Sequence, residues 1–286
     1  MNSSIIDRKK IILPAAQLRM LKSAWGEESI SNSVVEKITY LSDGLKVKGF
    51  IAHPLSDLQN KKLPCIIWNR GGFGNQGAID DFTARGLFGQ IANWGYVVFA
   101  SQYRGNVGGE GKDEFGGSEV NDILNLIPLA DEISFADKRL WAMEGWSRGG
   151  MMSYLTLLKN DAFKTVIISG GIANLRCNAD ENKFMRMLYE QGFGQYNSED
   201  FLNRCRERSA VNFADKLPKN IPLLMLHGTA DDRVSPKDSL ELADKFLENN
   251  IPFRLVLLEG GDHYLRAHKR EVDRMRKGWL EKYLKS

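Results

Sequence analysis

Histidine is scarce in this chain. Its 286 residues include four, His53, His227, His263 and His268, so any imidazole chemistry has few candidates. Cysteine is scarcer still, with Cys65, Cys177 and Cys205. An odd count without metal-like spacing argues against a disulfide framework and for free, buried thiols in a reducing compartment. No segment approaches the ~18 continuous apolar residues of a membrane span. The opening "MNSSIIDRKKIILPAAQLRM" lacks the apolar core and cleavage site of a secretory leader. The net charge of +3 is small against 75 charged side chains (39 plus 36), and no dense basic run appears. Nucleic-acid binding is therefore not expected. No internal repeat, low-complexity tract or Gly-Lys-Ser/Thr phosphate loop is present. These absences lead to the expectation of a soluble, cytoplasmic protein with no nucleic-acid or membrane partner, no metal and no organic cofactor.

What is present reads as a globular α/β chain. Hydrophobic residues make up 43% and charged residues 26%, ordinary for a folded domain. Residues 1–33 read as an N-terminal extension with a short helix over 14–25, where Leu18, Leu21 and Trp25 recur at helical spacing. Residues 34–286 read as one main domain. It opens with "VVEKITYLSDGLKVKGFIAH" (34–53), an antiparallel hairpin turned at Asp43-Gly44. Short apolar runs follow at 65–69, 96–100, 139–144, 165–169, 222–227 and 254–259. Between them lie helical patterns near 80–93, 119–127, 150–159, 237–249 and 266–284. Unbroken β-branched runs suit strands buried on both faces, and their alternation with helices predicts a doubly wound, mostly parallel sheet. The charged, helical stretch 172–217 breaks this rhythm and reads as an insertion over one end of the sheet.

In such sheets chemistry sits at the carboxyl ends of the strands. Ser147 lies there, in "EGWSRGG", directly after the run 139–144 and directly before the helix at 150–159. A Gly-x-Ser-x-Gly turn alone is weak evidence. Between a strand and a helix it fits a nucleophile elbow, in which small residues allow a sharp turn and the serine hydroxyl is exposed at a helix N-terminus. The Arg148 N–H is then placed as an oxyanion donor. A serine needs a base, and the base an orienting acid, in the chain order Ser, acid, His. "HGTADDRVSP" (227–236) supplies Asp231 and Asp232, and "LEGGDHYLRAH" (258–268) supplies His263. His53 falls in the hairpin, His268 on the last helix, and His227 is too close to the acid, which leaves His263 as the base. The loop after 65–69, "NRGGFGNQG", is a candidate source of the second oxyanion donor.

Together, "GWSRGG", "SQYRGNVGGEGKDEFGG" (101–117), "HGTADDRVSP" and "GGDH" at His263 resemble the catalytic domain of the prolyl oligopeptidase family of serine peptidases. The resemblance spans roughly residues 35–285 and implies an α/β-hydrolase fold. By position it implies Ser147 as nucleophile, Asp231 rather than Asp232 as acid, and His263 as base. Family members often place Tyr or His before the Gly-Gly of the oxyanion loop, where this chain has Arg70. Either Arg70 donates as a cation, or the N–H groups of Gly71, Gly72 and Phe73 take the task, or Arg70 pairs elsewhere and points away. Trp146, Tyr103 and Phe73 are candidates for lining the substrate site. Glu181 and Glu190, in the insertion, are weaker candidates for gripping a substrate amino group.

The resemblance further implies two-step acyl transfer on a small peptide or acyl ester, with cleavage of a peptide or aminoacyl amide or of an ester. Three other readings stay open: a carboxylesterase, an acyltransferase with the same triad, and a non-catalytic binding protein. The family usually carries an N-terminal β-propeller that filters substrates, and here about 35 residues precede the hydrolase pattern. Access is therefore expected to be limited by the 172–217 insertion, by the N-terminal segment or by homo-oligomerisation.

Overall fold

The computed structural model describes residues 4–55 and 61–285. Nine strands form one sheet in the order β1-β2-β3-β5-β4-β6-β7-β8-β9. β1 (Ile5–Lys10) lies in the N-terminal extension and pairs antiparallel with β2 (Ser33–Ser42). Between them come α1 (Ala15–Trp25), at the helical spacing read from sequence, and α2 (Glu27–Ser31). β2 and β3 (Leu45–Pro54) form the expected hairpin, with Asp43 and Gly44 both at positive φ, 49° and 81°. That geometry matches the right-handed twist of the flanking strands. β3 joins the parallel part of the sheet through β5 (Val97–Ser101), again antiparallel.

The remaining strands are all parallel: β4 (Leu63–Asn69), β5, β6 (Ala136–Trp146), β7 (Phe163–Ser169), β8 (Leu223–Gly228) and β9 (Phe253–Leu258). Alternate side chains of each strand feed two cores. Cys65 and Ile67 of β4 pack with Val97 and Phe99 of β5 on one face. Ile66 and Trp68 pack with Val98 and Ala100 on the other. α3 (Asp81–Asn93) covers the second face through Phe88 and Ile91, beside Trp279 and Leu280. The first face is covered by α4 (Val120–Leu124) and α5 (Arg148–Leu157) through Ile123, Met151 and Tyr154. The 172–217 insertion forms α6 (Leu175–Glu181), α7 (Lys183–Phe193) and α8 (Glu199–Arg208). α9 (Pro236–Glu248) and α10 (Lys269–Leu284), which carries Trp279 and Leu280, close the domain. The helix expected near 119–127 ends early, at Leu124, and a short 3-10 turn at Pro128–Glu132 follows, with proline at its start. His268 stands at the N-cap of α10, one residue before the helix, and not within it.

Strand order reverses between β4 and β6: the chain runs from β4 outward to β5, then returns to the opposite side of β4. At this switch point the two crossovers leave in opposite directions and a crevice opens beyond the strand ends. Asn69 and Gly145 are register partners at that edge. The segments that continue from them, 70–77 and 145–150, are both rich in glycine.

Candidate active site

Ser147 leaves β6 in a backbone conformation that side chains rarely adopt, with φ 58° and ψ −123°. Its carbonyl accepts from the Gly150 N–H at 2.9 Å, and its own N–H donates to the Ser169 carbonyl at 3.0 Å. These bonds hold the strain, and the serine becomes the N-cap of α5. Glycine at 149 is required by space. A Cβ there would sit 1.9 Å from the Asn69 carbonyl oxygen, so α5 can approach β4 only without a side chain. The Arg148 N–H opens α5, where no intrahelical acceptor exists.

Asp231 and His263 arrive from the ends of β8 and β9. His263 Nδ1 lies 2.7 Å from Asp231 Oδ2, and the two side chains are 5% and 0% exposed. The second carboxylate oxygen, Oδ1, accepts from the N–H groups of Arg233 and Val234, both at 2.9 Å. Burial pushes the Asp231 carboxyl upward. Hydrogen bonds from His227 and His263, the His263 charge and the Val234 N–H outweigh it and hold the carboxyl well below its usual range. Asp231 is thus an anion, and Nδ1 of His263 donates to it. In the neutral ring Nε2 is then an acceptor, free to take a proton. Gly170, at φ 53°, passes this pair so closely that a Cβ would lie 3.2 Å from Asp231 Oδ2 and 3.4 Å from His263 Nδ1.

His227 is completely buried and touches the same carboxylate, its Nε2 3.2 Å from Asp231 Oδ2. That Nε2 also lies 2.9 Å from the Val234 carbonyl, which can only accept. Its proton is therefore on Nε2, and Nδ1 accepts from Ser239 Oγ at 2.7 Å. Both ring nitrogens of His227 are thus engaged, and the residue packs against the Asp231 carboxylate. Asp232 is exposed and its carboxylate lies 3.7 Å from Arg233 Nε, away from both histidines.

Ser147 and His263 line one cavity of about 180 Å³. Its walls are mostly apolar, with Phe73, Phe115 and Ile172 below and Phe184, Met185 and Leu188 of α7 above. Trp146 borders it too and is fixed by donating Nε1 to the His263 carbonyl at 3.0 Å. Gly72 also lines it. Gly71 packs behind, where a Cβ would lie 3.1 Å from the Ser147 Cβ.

Four residues singled out by sequence lie elsewhere. Arg70 is wholly buried, and its guanidinium is spent on carbonyl oxygens: Gln102 at 3.0 and 2.8 Å, Gly71 at 3.0 Å and Gly74 at 2.9 Å. It braces the loop from behind and does not face the Ser147 cavity, so its side chain is not an oxyanion donor. Burial, followed by repulsion from Arg148, lowers its pKa to about 10. Tyr103 is also fully buried, a core ring and not a substrate contact. Its hydroxyl donates to the Arg70 carbonyl at 3.1 Å, and the Arg70 and Arg148 guanidiniums each lie 4.9 Å from its ring centroid. Glu181 pairs with Lys237 at 3.1 Å, and Glu190 accepts from the Tyr196 N–H at 2.9 Å. Neither lines the cavity.

No motif or spacing points to what the Arg148 side chain does. It is 1% exposed and runs into a buried ionic cluster. Nη2 lies 2.6 Å from both Asp113 Oδ1 and Glu119 Oε1, while Nη1 donates to Asp113 Oδ2 and to the Gly72 carbonyl, each at 2.9 Å. Burial disfavours the Asp113 charge, yet Arg148 outweighs it and keeps that carboxyl below its usual range. Burial pushes Glu119 up, against the pull of Arg148. The cluster ties α5 to the 101–117 loop and to the Gly72 carbonyl, which fixes the segment facing Ser147. Asp113 sits inside that quoted loop and Glu119 just beyond it, but no spacing rule singles out either. Arg233 and Tyr264, which also line the cavity, carried no signal.

Residues 87–286 match the model of the prolyl oligopeptidase family. The chain belongs to that family. It is a family of serine hydrolases, and among its relatives the uncharacterized peptidase YtmA of Bacillus subtilis is 28% identical over 246 residues, covering 85% of this chain and 92% of the relative. A probable dipeptidyl-aminopeptidase B of Aspergillus terreus is 26% identical over 250 residues, covering 84% of this chain but 26% of its own length. Two solved structures share the fold. One is an acylaminoacyl peptidase in complex with Z-Gly-Gly-Phe-chloromethyl ketone, with TM-score 0.76, 20% identity, and coverage of 90% of this chain and 42% of that one. The other is the Pyrococcus horikoshii acylaminoacyl peptidase, with TM-score 0.75, 20% identity, and coverage of 91% and 43%. Family membership and fold agree with the resemblance read from the motifs. Among the described residues no helix is long and apolar enough to cross a membrane, and no acidic, His or Cys group is arranged to hold a metal. The three cysteines are free, Cys65 and Cys205 buried and Cys177 half-buried.

Proposed function

We propose that this chain hydrolyses amide and ester bonds of small peptides or aminoacyl compounds, with Ser147 as nucleophile, His263 as general base and Asp231 as the acid that orients it. One observation carries the reading: a serine held at positive φ at a helix N-terminus shares a cavity with a histidine whose far nitrogen is bonded to a buried, ionised aspartate. Ser147 Oγ attacks the carbonyl carbon and passes its proton to His263 Nε2. The oxyanion forms beside the Arg148 N–H and the Gly72–Phe73 backbone. His263 returns the proton to the leaving amine or alcohol, and water releases the acyl group by the same path in reverse. The walls of Phe73, Phe115, Ile172 and α7 favour an apolar residue on the acyl side. Phe184, Met185 and Leu188 place the insertion over the nucleophile, where it limits substrate size.

Parallel kinetics on p-nitrophenyl acyl esters and on peptidyl or aminoacyl anilides test this. Turnover of both, lost in Ser147→Ala, is expected, with higher kcat/KM for apolar acyl side chains. Turnover of esters alone would reject the peptidase reading in favour of a carboxylesterase.

A further inference from the structure

His227 follows Leu223, Leu224, Met225 and Leu226 near the end of β8. A further apolar side chain would continue that buried run with no polar group to satisfy. An imidazole there is a polar ring taken wholly out of water, which a fold tolerates when both nitrogens find partners. They do, and the partners surround the Asp231 carboxylate. Nδ1 accepts from Ser239 Oγ, one turn into α9, at 2.7 Å. Nε2 lies 2.9 Å from the Val234 carbonyl and 3.2 Å from Asp231 Oδ2. The Val234 N–H meanwhile donates to the other carboxylate oxygen at 2.9 Å. One buried ring thus grips the 231–234 turn at both of its ends.

Oδ2 is also the oxygen that meets His263 Nδ1, at 2.7 Å. Two imidazoles therefore converge on a single carboxylate oxygen. Burial raises the Asp231 carboxyl, and His227 stands ahead of His263 among the groups that pull it down.

We propose that His227 is a positioning residue for the acid: its Nε2–H, divided between Val234 and Asp231, fixes the carboxylate against His263, while Ser239 fixes the ring from α9. The inference rests on the reading of Asp231 and His263 as acid and base. His227 itself moves no proton in the reaction, since both its nitrogens are engaged and it does not line the Ser147 cavity. An oxygen that accepts from two rings divides its charge between them, so Oδ2 holds the His263 proton less strongly than it would alone. The Ser239 hydroxyl, donating into Nδ1, polarises the ring and strengthens its Nε2–H as a donor.

Heteronuclear NMR of the full chain with isotope-labelled histidine tests this. In the wild type His227 is expected to be neutral, with its proton on Nε2 and a bare Nδ1. In His227→Phe, which keeps a ring but no donor, the His263 Nδ1 proton should move downfield, because Oδ2 then serves one ring alone. Ser239→Ala should move it the same way by less. His227→Gln, whose amide reaches about as far as Nε2, should leave it near its wild-type position. On an activated ester kcat should follow the same order at constant KM, falling about 10- to 100-fold in His227→Phe, as for the outer partners of metal-bound histidines, and recovering in His227→Gln. A residue that serves the fold alone would change stability and leave the proton where it is. The NMR needs no turnover, so a failure of the Ser147 chemistry shows as an inactive wild type and a failure of this inference as an unmoved proton. A wild-type His227 protonated on Nδ1, or a His263 Nδ1 proton unmoved in folded His227→Phe, would overturn the proposal. Should His227→Phe not fold, an unmoved proton in Ser239→Ala overturns it instead.

Discussion

Two buried ionic groups flank Ser147, and they are built differently. On one side, Asp231 and His263 form a pair in which every carboxylate oxygen is bonded while one imidazole nitrogen is left over. On the other, Arg148 spends both of its terminal nitrogens on Asp113, Glu119 and the Gly72 carbonyl. The first can accept a proton because its histidine keeps one ring nitrogen outside the bond to Asp231. The second cannot, because a guanidinium does not give up its proton in a protein. Burial of charge in one case orients the histidine proposed as the base and in the other holds a loop. Similar exposure therefore says nothing of role, and what separates the two is whether the central group can take up and release a proton.

The difference can be broken from either side. Ser147→Ala or His263→Ala is expected to lower kcat by about 10⁴–10⁶, with the double variant no worse than either alone. Steady-state kinetics on an activated ester, with circular dichroism to show an intact fold, checks this. Asp231→Asn should cost about 10⁴ in kcat with the fold kept, because the neutral amide no longer fixes the imidazole tautomer. Its pH dependence has a definite sign. The folded pKa of Asp231 is depressed, so its contribution to stability is present above the unfolded value near ~3.9 and lost only as pH falls through the depressed value.

Breaking the other group should act on stability first. Arg148→Met leaves Asp113 and Glu119 buried without their cation, and a loss of about 3–5 kcal/mol is expected in denaturant unfolding. Glu119→Gln should cost less, since that carboxyl is already pushed upward by burial.

Asp238 sharpens the contrast as a buried carboxyl with no cation beside it. Burial raises its pKa to about 7 against the N–H groups of Asn174 and Ala173, which pull it down. A raised folded value means stability is full below the unfolded pKa and is lost as pH rises through about 7. Asp238→Asn should flatten the stability difference between pH 5 and 8, by an amount on the order of 1–2 kcal/mol.

Much of this was legible in the sequence, for physical reasons. The strands at 65–69, 96–100 and 165–169 are unbroken apolar runs because both sheet faces are covered, and that pattern survives without knowledge of contacts. Ser147, Asp231 and His263 were readable because the fold fixes them to strand ends. β1 was missed, since "IIDRKK" at a sheet edge buries almost nothing and has no apolar alternation. The roles given to Arg70 and Tyr103 failed at the next level. Local sequence places their backbones beside the site, but which way a side chain turns depends on Gln102 and Gly74 in one case and on two arginines in the other. The Asp113–Arg148–Glu119 cluster joins residues with no periodic relation, and only the folded chain brings it into view.

The most direct test of the central claim is labelling by a fluorophosphonate, with the modified peptide mapped by mass spectrometry in the wild type and in His263→Ala. One equivalent on Ser147 is expected in the wild type, with labelling slowed by orders of magnitude when His263 is removed. A folded wild-type protein that takes no label at Ser147, or one labelled equally fast without His263, would contradict the account.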